Sequence, residues 1–376
     1  MADRHWIRLK ALILACAAIQ GLPTRAAAQE RTFRPMGPLG PGREVSAGVH
    51  LGDVDGDGDL DVSLANGRHW PAQNRIYLND GRGGFTLARR LGDEEDASYA
   101  APMADFDGDG DLDIATGNDR TRKLIFRNDG TGRFERAGTF GDPSSTRSLT
   151  LADLDGDGNI DILVVNRGAQ NFIHFGDGTG VFDRSVPFGS GDDSTIDVDA
   201  ADLDGDGDLD LALANRDGGA NAVNWNDGSG GFGDALAYGT GTDETRGVAV
   251  ADLDGDGHLD IVNANIRERN AVHFGSASGG FGSRVEFGSA ADASFSLAVA
   301  DLDLDGDVDI VIGNAAGENA VYFNDPDGFR EVRFGCEDCD TYSVAVGDLN
   351  GDRFPEIVTA NSGAENVIFV NVPAGR

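Results

Sequence analysis

The sequence predicts an all-β fold, a seven-bladed β-propeller of four-stranded blades, and three observations predict it. An acidic loop of the form D-x-D-x-D-G-x-x-D recurs seven times, starting at Asp53, Asp105, Asp153, Asp202, Asp252, Asp301 and Asp348, with starts 47 to 52 residues apart. Repeats of that length mean an array, a solenoid or a propeller, which overrides the two or three domains that 376 residues alone would suggest. Each interval reads as four short strands with tight turns, the content of one blade. Beyond the first 28 residues no segment keeps a helical period over about ten residues, and 55 glycines, roughly twice average usage, suit many turns.

The chain opens differently. Arg4, Arg8 and Lys10 precede an apolar run from Ala11 to Ile19, Gly21 and Pro23 break it, and Ala26-Ala27-Ala28 offers a cleavage site. That is the layout of a secretory signal peptide over residues 1–28, too short to span a bilayer. It predicts a secreted, extracellular or periplasmic protein whose residues 29–376 form a single domain. The alternatives are a structural N-terminal helix and lipidation at Cys16. The short apolar stretch before that cysteine, Ala11 to Ala15, argues against lipidation.

The formal charge is -35, and loss of residues 1–28, with four basic residues and one acidic, takes it to -38. Such a chain does not seek nucleic acid or an anionic membrane. A hydrophobic fraction of 40% excludes a disordered acidic tail. Cys336 and Cys339 predict a small local disulfide in an oxidising compartment. A redox motif would need a helix N-terminus, and zinc two more ligands.

Thr245 to Gly288 illustrates one unit. Gly247–Ala251 is a short apolar strand, Asp252–Asp260 the acidic loop, Leu259–Ala264 a second strand, and Asn265–Arg269 a turn. Ala271–Phe274 is a third strand, Gly275–Gly280 a glycine-rich turn, and Phe281–Phe287 a fourth strand. The last unit lacks its fourth strand, and residues 31–40 resemble the fourth strands elsewhere. The N-terminal segment is therefore expected to complete the last blade and lock the ring. Pro35 and Pro38 fit there only on an outermost edge.

The loops read as metal sites. Hard divalent cations take oxygen ligands, six to eight for Ca²⁺. Alternating acids at positions 1, 3 and 5 of a curled loop aim three carboxylates at one centre, glycine at position 6 allows the turn, and position 9 closes the shell. The predicted ligands are Asp53, Asp55, Asp57 and Asp61; Asp105, Asp107, Asp109 and Asp113; Asp153, Asp155, Asp157 and Asp161; Asp202, Asp204, Asp206 and Asp210; Asp252, Asp254, Asp256 and Asp260; and Asp301, Asp303, Asp305 and Asp309. Position 7 varies from Asp59 to His258 to Phe354, which suits a backbone carbonyl ligand. The seventh loop departs, with Asp348, Asn350, Asp352 and Glu356 as candidates and Arg353 where glycine belongs. A side chain at positive φ costs about 1 kcal/mol or more, so this site is expected to be weak or empty. An EF-hand is excluded because position 12 is never Glu, running from Leu64 to Thr359. Metal-free Asp/Gly turns would leave like charges uncompensated in six places, and Mg²⁺ prefers to keep its waters.

With its Ala-Asp-Leu-Asp-Gly-Asp-Gly loops, the following Leu-Asp-Ile strand, and the pairs Phe140-Gly141, Phe188-Gly189, Phe287-Gly288 and Phe334-Gly335, the chain resembles the FG-GAP/VCBS repeat family, also found in integrin α-subunit propellers. The likeness covers residues 31–372, and absence of a Gly-Ala-Pro element brings it nearer the bacterial VCBS form. The resemblance implies a seven-bladed propeller with calcium in the loop joining the first two strands of each blade. It also implies extracellular adhesion, ligand recognition or scaffolding, without implying one activity.

Strand order puts acidic loops and glycine turns on one rim and the remaining connections on the other, where a protein or glycan partner is expected. That second rim carries Ser46, Ser98, Thr146, Thr195, Thr245, Ser294 and Thr341, read as a structural ring bonding backbone at strand starts. Their large neighbours Tyr99, Arg147, Ile196, Arg246, Phe295 and Tyr342 are ligand candidates or inter-blade packing. Asn66, Asn118, Asn166, Asn215, Asn265, Asn314 and Asn361, which end the second strands, read as turn formers that tolerate the left-handed region. Arg68, Arg120, Arg167, Arg216 and Arg267 form a partial arc that suits either solvent or an acidic ligand. An insertion, Gly67–Gln73, offers Trp70 beside His69 for stacking on a sugar. No H-E-x-x-H, G-x-S-x-G or G-x-x-x-x-G-K-[ST] occurs, so no catalytic residue is assigned. A carbohydrate-active enzyme would need His50, Asp197 or Asp199, and a glycan-binding lectin is the other alternative to a non-enzymatic, monomeric recognition module.

Overall fold

The computed structural model describes residues 30–375 except Thr86 and Glu94. The expected leader, residues 1–28 with Cys16, lies outside the described residues. Among the described residues every regular element is a β-strand, and no helix is long and apolar enough to cross a membrane. The unit read in detail has strands Thr245–Ala251, Asp260–Asn265, Asn270–Phe274 and Ser283–Phe287, joined as an antiparallel meander. Units are numbered 1 to 7 here by their acidic loops.

Hydrogen bonding groups the strands into six sheets, one fewer than the sequence predicts. The reason lies at the chain ends. Arg31–Gly52 is one continuous strand. Its first half pairs with the end of Glu356–Pro373, from Arg31 opposite Pro373 to Leu39 opposite Asn366. Its second half pairs with Asp61–Asn66. The N-terminal segment thus supplies the fourth strand of unit 7, as expected, and runs on unbroken into the first strand of unit 1. Two four-stranded units are thereby merged into one six-stranded sheet. Pro35 and Pro38 lie where the strand's other edge has no strand partner among the described residues, and register shifts follow Pro35 and Leu39. Unit 2 has its own irregularity. Its first strand breaks into Ser98–Ala100 and Met103–Ala104 at Ala101-Pro102, because proline has no amide to donate.

Apolar packing is shared between successive units, since a lone four-stranded sheet cannot bury both faces. Ala115, Ile125 and Phe140 of unit 2 pack with Leu149, Ile162 and Val164 of unit 3. Val311, Val321 and Phe334 of unit 6 pack with Val344, Ile357 and Phe369 of unit 7. Val358 and Ile368 of unit 7 pack in turn with Val49, Val62 and Leu64 of unit 1. The phenylalanines of the Phe-Gly pairs, Phe140, Phe188, Phe287 and Phe334, are all buried in such clusters.

Asparagine amides join units at both rims. At the acidic-loop rim, Nδ2 of Asn128 donates to Val54 O (2.7 Å), Asn226 to Leu154 O (2.9 Å), Asn324 to Leu253 O (2.6 Å), Asn371 to Leu302 O (2.7 Å), and Asn79 to Leu349 O (2.9 Å). At the other rim, Asn74 donates to Ser98 Oγ (2.8 Å), Asn171 to Thr195 Oγ1 (3.0 Å), Asn221 to Thr245 Oγ1 (2.7 Å), and Asn366 to Ser46 Oγ (2.9 Å). Unit 2 carries Lys123 instead, whose buried Nζ donates to Asp142 O and Ser144 Oγ.

One expectation needs correction here, and the asparagine turns are more specific than expected. Thr195 apart, the serine and threonine hydroxyls donate to asparagine side chains rather than to backbone: Ser46 to Asn66 Oδ1 (2.6 Å), Thr245 to Asn265 (2.9 Å), Thr341 to Asn361 (2.8 Å). The asparagines do not adopt the left-handed region. That conformation falls two residues later, at Arg68, Arg120, Asp217 and Arg267, with φ of 49° to 61°. The physical reason is that each asparagine Nδ2 closes the turn, as Asn265 does to Arg269 O (2.8 Å), so its own backbone stays in the strand. Cys336 and Cys339 form a disulfide with Cα atoms 5.4 Å apart.

Replacing Asn366 tests the clip between the last unit and the first. Asn366→Ala strands the buried Asn361 amide that Asn366 Oδ1 accepts at 2.7 Å and removes the donor to Ser46. Denaturant titration is expected to show a loss of about 1–3 kcal/mol, whereas a loss below about 0.5 kcal/mol, typical of neutral surface changes, refutes the clip.

Candidate functional site

Each acidic loop folds around its own first carboxylate. In loop 1 Asp53 Oδ1 accepts the Gly56 amide (2.8 Å), Asp53 Oδ2 accepts Gly58 (3.0 Å), and Asp57 Oδ1 accepts Asp59 (3.0 Å). Gly56 and Gly58 sit at φ of 74° and 94°, the conformation that keeps glycine at position 6 and, unforeseen from the motif, at position 4. Loop 6 puts Leu304 at that position, φ 59°, and loop 7 puts Arg353 at position 6, φ 79°.

Position 9 has a second task that the motif does not advertise. Asp61 is fully buried, with Oδ2 accepting the Val54 amide (2.9 Å) and Oδ1 the Asn79 amide (2.8 Å). Asp161, Asp210, Asp260 and Asp309 make the same two bonds, to position 2 and to the end of the third strand. Asp113 does so more loosely at position 2. Burial pushes these carboxyls up, to about 6 in Asp61, Asp113, Asp161, Asp210 and Asp260 and about 7 in Asp309.

Carboxylate oxygens converge. Those of Asp53, Asp55 and Asp57 lie within 4.8 Å of one another, as do those of Asp105, Asp107 and Asp113, Asp153, Asp155 and Asp161, Asp202, Asp204 and Asp206, and Asp252, Asp254 and Asp260. Two oxygens facing each other across a Ca²⁺ at about 2.4 Å are about 4.8 Å apart, so one ion reaches each triad. Of the predicted ligands in these loops, Asp61, Asp109, Asp157, Asp210 and Asp256 stand outside the triads; Asp109, Asp157 and Asp256 accept position-7 amides at 2.8 to 3.0 Å. Four carboxylate oxygens are buried with no hydrogen-bond partner: Asp55 Oδ1, Asp153 Oδ1, Asp155 Oδ1 and Asp303 Oδ1. An unpaired buried carboxylate oxygen is costly, and a hard cation is the partner that fits. These Asp-rich clusters can hold a metal ion.

Loop 7 is built otherwise. Asn350 Nδ2 donates to Glu356 Oε1 (2.8 Å), and the Arg31 guanidinium lies 3.6 Å over the Phe354 ring. Burial lowers the Arg31 pKa, while Asp352, Asp303 and Glu356 act against that shift. Glu356 thus meets an amide of its own loop, and a cation from the N-terminal strand stacks on the loop's Phe354.

Six overlapping segments, residues 53–116, 105–164, 153–213, 202–263, 252–312 and 301–359, match the FG-GAP-like repeat. The chain belongs to the FG-GAP-like repeat family. Comparison with curated proteins found no match. Among solved structures this FG-GAP chain is similar to BBS1N in its complex with ARL6DN, in mercury-soaked and lead-soaked crystals alike, with TM-score 0.60, 11% identity, and coverage of 94% of this chain and 99% of that one. It is also similar to Chaetomium thermophilum Raptor, with TM-score 0.62, 12% identity, and coverage of 93% of this chain and 30% of Raptor. At these identities the likeness concerns the fold alone.

The first strands of all seven units of the FG-GAP chain line an axial cavity of about 620 Å³. His50, Asp197 and Asp199 lie in its wall. Asp197 accepts Ser148 Oγ (2.9 Å) and the Val248 amide (3.3 Å), and Asp199 accepts the Val250 amide (2.9 Å), so both link unit 4 to unit 5. His50 Nε2 is buried without a partner, and burial pulls its pKa down to about 4. At the mouth opposite the acidic loops stand Tyr99, Arg147, Arg246, Phe295 and Tyr342. Arg147 pairs with Asp119 (2.9 Å) and lies 4.6 Å over Tyr99, whose hydroxyl meets His69 Nδ1 (3.1 Å). Ile196 is buried, whereas Trp70 is 74% exposed. Within the arginine arc, Arg167 pairs with Asp217 and Arg216 with Glu244. The sequence reading missed the asparagines ending third strands, Asn79, Asn128, Asn226, Asn324 and Asn371, although four of them sit in a recurring Asn-Asp pair.

Burial raises the Asp197 pKa from 3.8 to about 7. The folded state therefore holds a proton that the unfolded chain releases, and stability falls as pH rises across that window. Asp197→Asn is expected to narrow the difference in unfolding free energy between pH 5 and pH 8 relative to wild type. An unchanged difference in parallel denaturant titrations contradicts the assignment.

Proposed function

We propose that this chain is a calcium-stabilised, closed seven-bladed β-propeller that is secreted and acts as a non-enzymatic recognition, adhesion or scaffolding module. The ring is supported by the series of contacts between first strands, which runs through all seven units and returns from Thr341–Gly347 to Arg31–Gly52. Membership of the FG-GAP-like repeat family supports an interaction module. The observation that carries calcium is the set of four buried, unpaired carboxylate oxygens on one rim. Asp53, Asp55, Asp57 and Asp61 and their counterparts in loops 2 to 6 would hold the ions, which supply charge compensation for the clustered carboxylates. Loop 7 would bind weakly or not at all.

Recognition falls to the opposite rim, whose residues differ from unit to unit while the loops repeat. Asp197 and Asp199 read as links between units rather than as an acid/base pair. A lectin is the second reading, favoured by exposed Trp70 and by a groove of about 730 Å³ between units 5 and 6 that holds Phe274, Phe329, Glu286 and Glu331.

Titration of the chelated protein with Ca²⁺ is expected to give six tight sites per chain. Each ion at a hundred times its Kd adds about 2.7 kcal/mol, and for a domain of this size or larger 1 kcal/mol moves Tm by about 2–4 °C or less. Excess EDTA is therefore expected to lower Tm by more than about 10 °C. An unchanged melting curve defeats the calcium reading, and capture of no protein or glycan by the calcium-loaded chain defeats the recognition reading.

A further inference from the structure

Two arginines at the mouth of the axial cavity lack the partner that their neighbours have. Arg147, Arg167 and Arg216 each have a carboxylate within ion-pair distance. Arg246 and Arg68 have none among the described residues. The Arg246 guanidinium lies 4.0 Å from the Phe295 ring centroid and 5.2 Å from that of Tyr342. The Arg68 guanidinium approaches the same Tyr342 ring at 4.2 Å and gives one hydrogen bond, to Ser362 Oγ (2.9 Å). Two like charges from units 1 and 5 therefore meet at one tyrosine of unit 7.

The carboxylates of the wall, Asp197 and Asp199, are within ion-pair distance of neither and are engaged with Ser148 and backbone amides. A ring face attracts a guanidinium but accepts few of its five N–H donors. Burial pulls Arg246 down to about 10; Tyr342 and Tyr99 act against that shift, while Arg216 and Arg68 push with it. The protein carries 65 acidic residues against 30 basic, so leaving two arginines together without a carboxylate is not a shortage of acid. The mouth opens onto a cavity of about 620 Å³. Two residues along from Arg68, Trp70 presents an exposed indole suited to a sugar face.

We propose that Arg246 and Arg68 form an oxyanion site at the mouth of the axial cavity, taking the carboxylate or sulfate of an acidic glycan, with Tyr342 as the platform between them. This rests on the reading of that rim as the ligand-binding face, and it names the ligand's chemistry. Forked guanidinium donors match two oxygens on one centre, as in a carboxylate or a sulfate, and such charge-assisted bonds are about twice as strong as neutral ones.

The test is titration of the calcium-loaded chain at low ionic strength with D-glucuronate, D-glucose and sodium sulfate, followed by NMR or calorimetry. Glucuronate is expected to bind at least about tenfold more tightly than glucose. Arg246→Met and Arg68→Met, which keep an apolar stem on the rings, are each expected to weaken glucuronate at least about tenfold. Arg68 is the second variant should Arg246→Met fail to fold, as judged by circular dichroism and melting. Equal affinity for glucose and glucuronate, or unchanged binding in the variant that folds, overturns the site. Sulfate binding as tightly as glucuronate, with Trp70→Ala silent, overturns the glycan as occupant. The recognition reading fails on a different result: no macromolecule captured on this rim, whatever small oxyanions do.

Discussion

One buried carboxylate per unit, at position 9 of the acidic loop, is the constraint on which the rest of the architecture depends. In unit 1 Asp61 starts the second strand and accepts two amides, one from its own loop and one from the end of the third strand. The residue giving that second amide, Asn79, uses its side chain to hold the carbonyl of Leu349 in the neighbouring unit. Loop shape, strand register and contact between units therefore meet at one buried charge. Such a charge needs strong partners, because truncating one side of a buried polar contact costs far more than the contact contributes when intact. This explains why Asp recurs at position 9 in loops 1 to 6 even though amides already occupy its oxygens.

The two rims obey different rules. On the acidic-loop rim the residues repeat because they serve backbone geometry and charge compensation, and both demands are the same in every unit. On the opposite rim the repeated residues are the internal Ser/Thr and Asn partners, while the outward positions run Tyr99, Arg147, Ile196, Arg246, Phe295 and Tyr342. A position free of structural duty can diverge, and a binding surface needs such divergence. Arg147, held by Asp119, and Ile196, buried, show that part of this variety goes into packing between units instead.

Most of the fold was legible in the sequence because its period is set by covalent spacing. The strands of unit 5 fall within one or two residues of the expected bounds. What escaped has common physical causes. The merged strand Arg31–Gly52 could not be foreseen, because continuity between a fourth and a first strand depends on how the chain ends meet in space. The turn-forming role of the Asn66 series was legible, but its bond to the first-strand hydroxyl of the same unit was not, because only the fold shows that the Asn side chain is fully engaged. Lys123 carries the same lesson: a charged residue in an apolar series looks like a surface position, yet it is buried in place of an asparagine. Among the candidate ligands, the convergence of Asp53, Asp55 and Asp57 was legible from alternation, but the two amides that Asp61 holds instead were not.

Unit 7 turns these arguments into a statement about where the metal would matter least. It is the only unit assembled from both chain ends. Arg31 donates twice to Asn371, Nε to the side chain and Nη2 to the backbone, each at 2.8 Å, and the Ala374 amide reaches Glu30 O at 2.8 Å. The same Arg31 lies over Phe354 of the seventh loop, where Asn350 already meets Glu356. A joint between chain ends that waited for an ion would leave the whole array open whenever the ion was absent. Here a guanidinium delivered by the N-terminal strand stacks on the loop itself, so docking of that strand and the setting of that loop are coupled without an ion. The other six loops sit within continuous stretches of chain, so an ion held there would set the shape of a unit rather than join the ends. The departures of loop 7 from the motif are thus what a seam between termini demands.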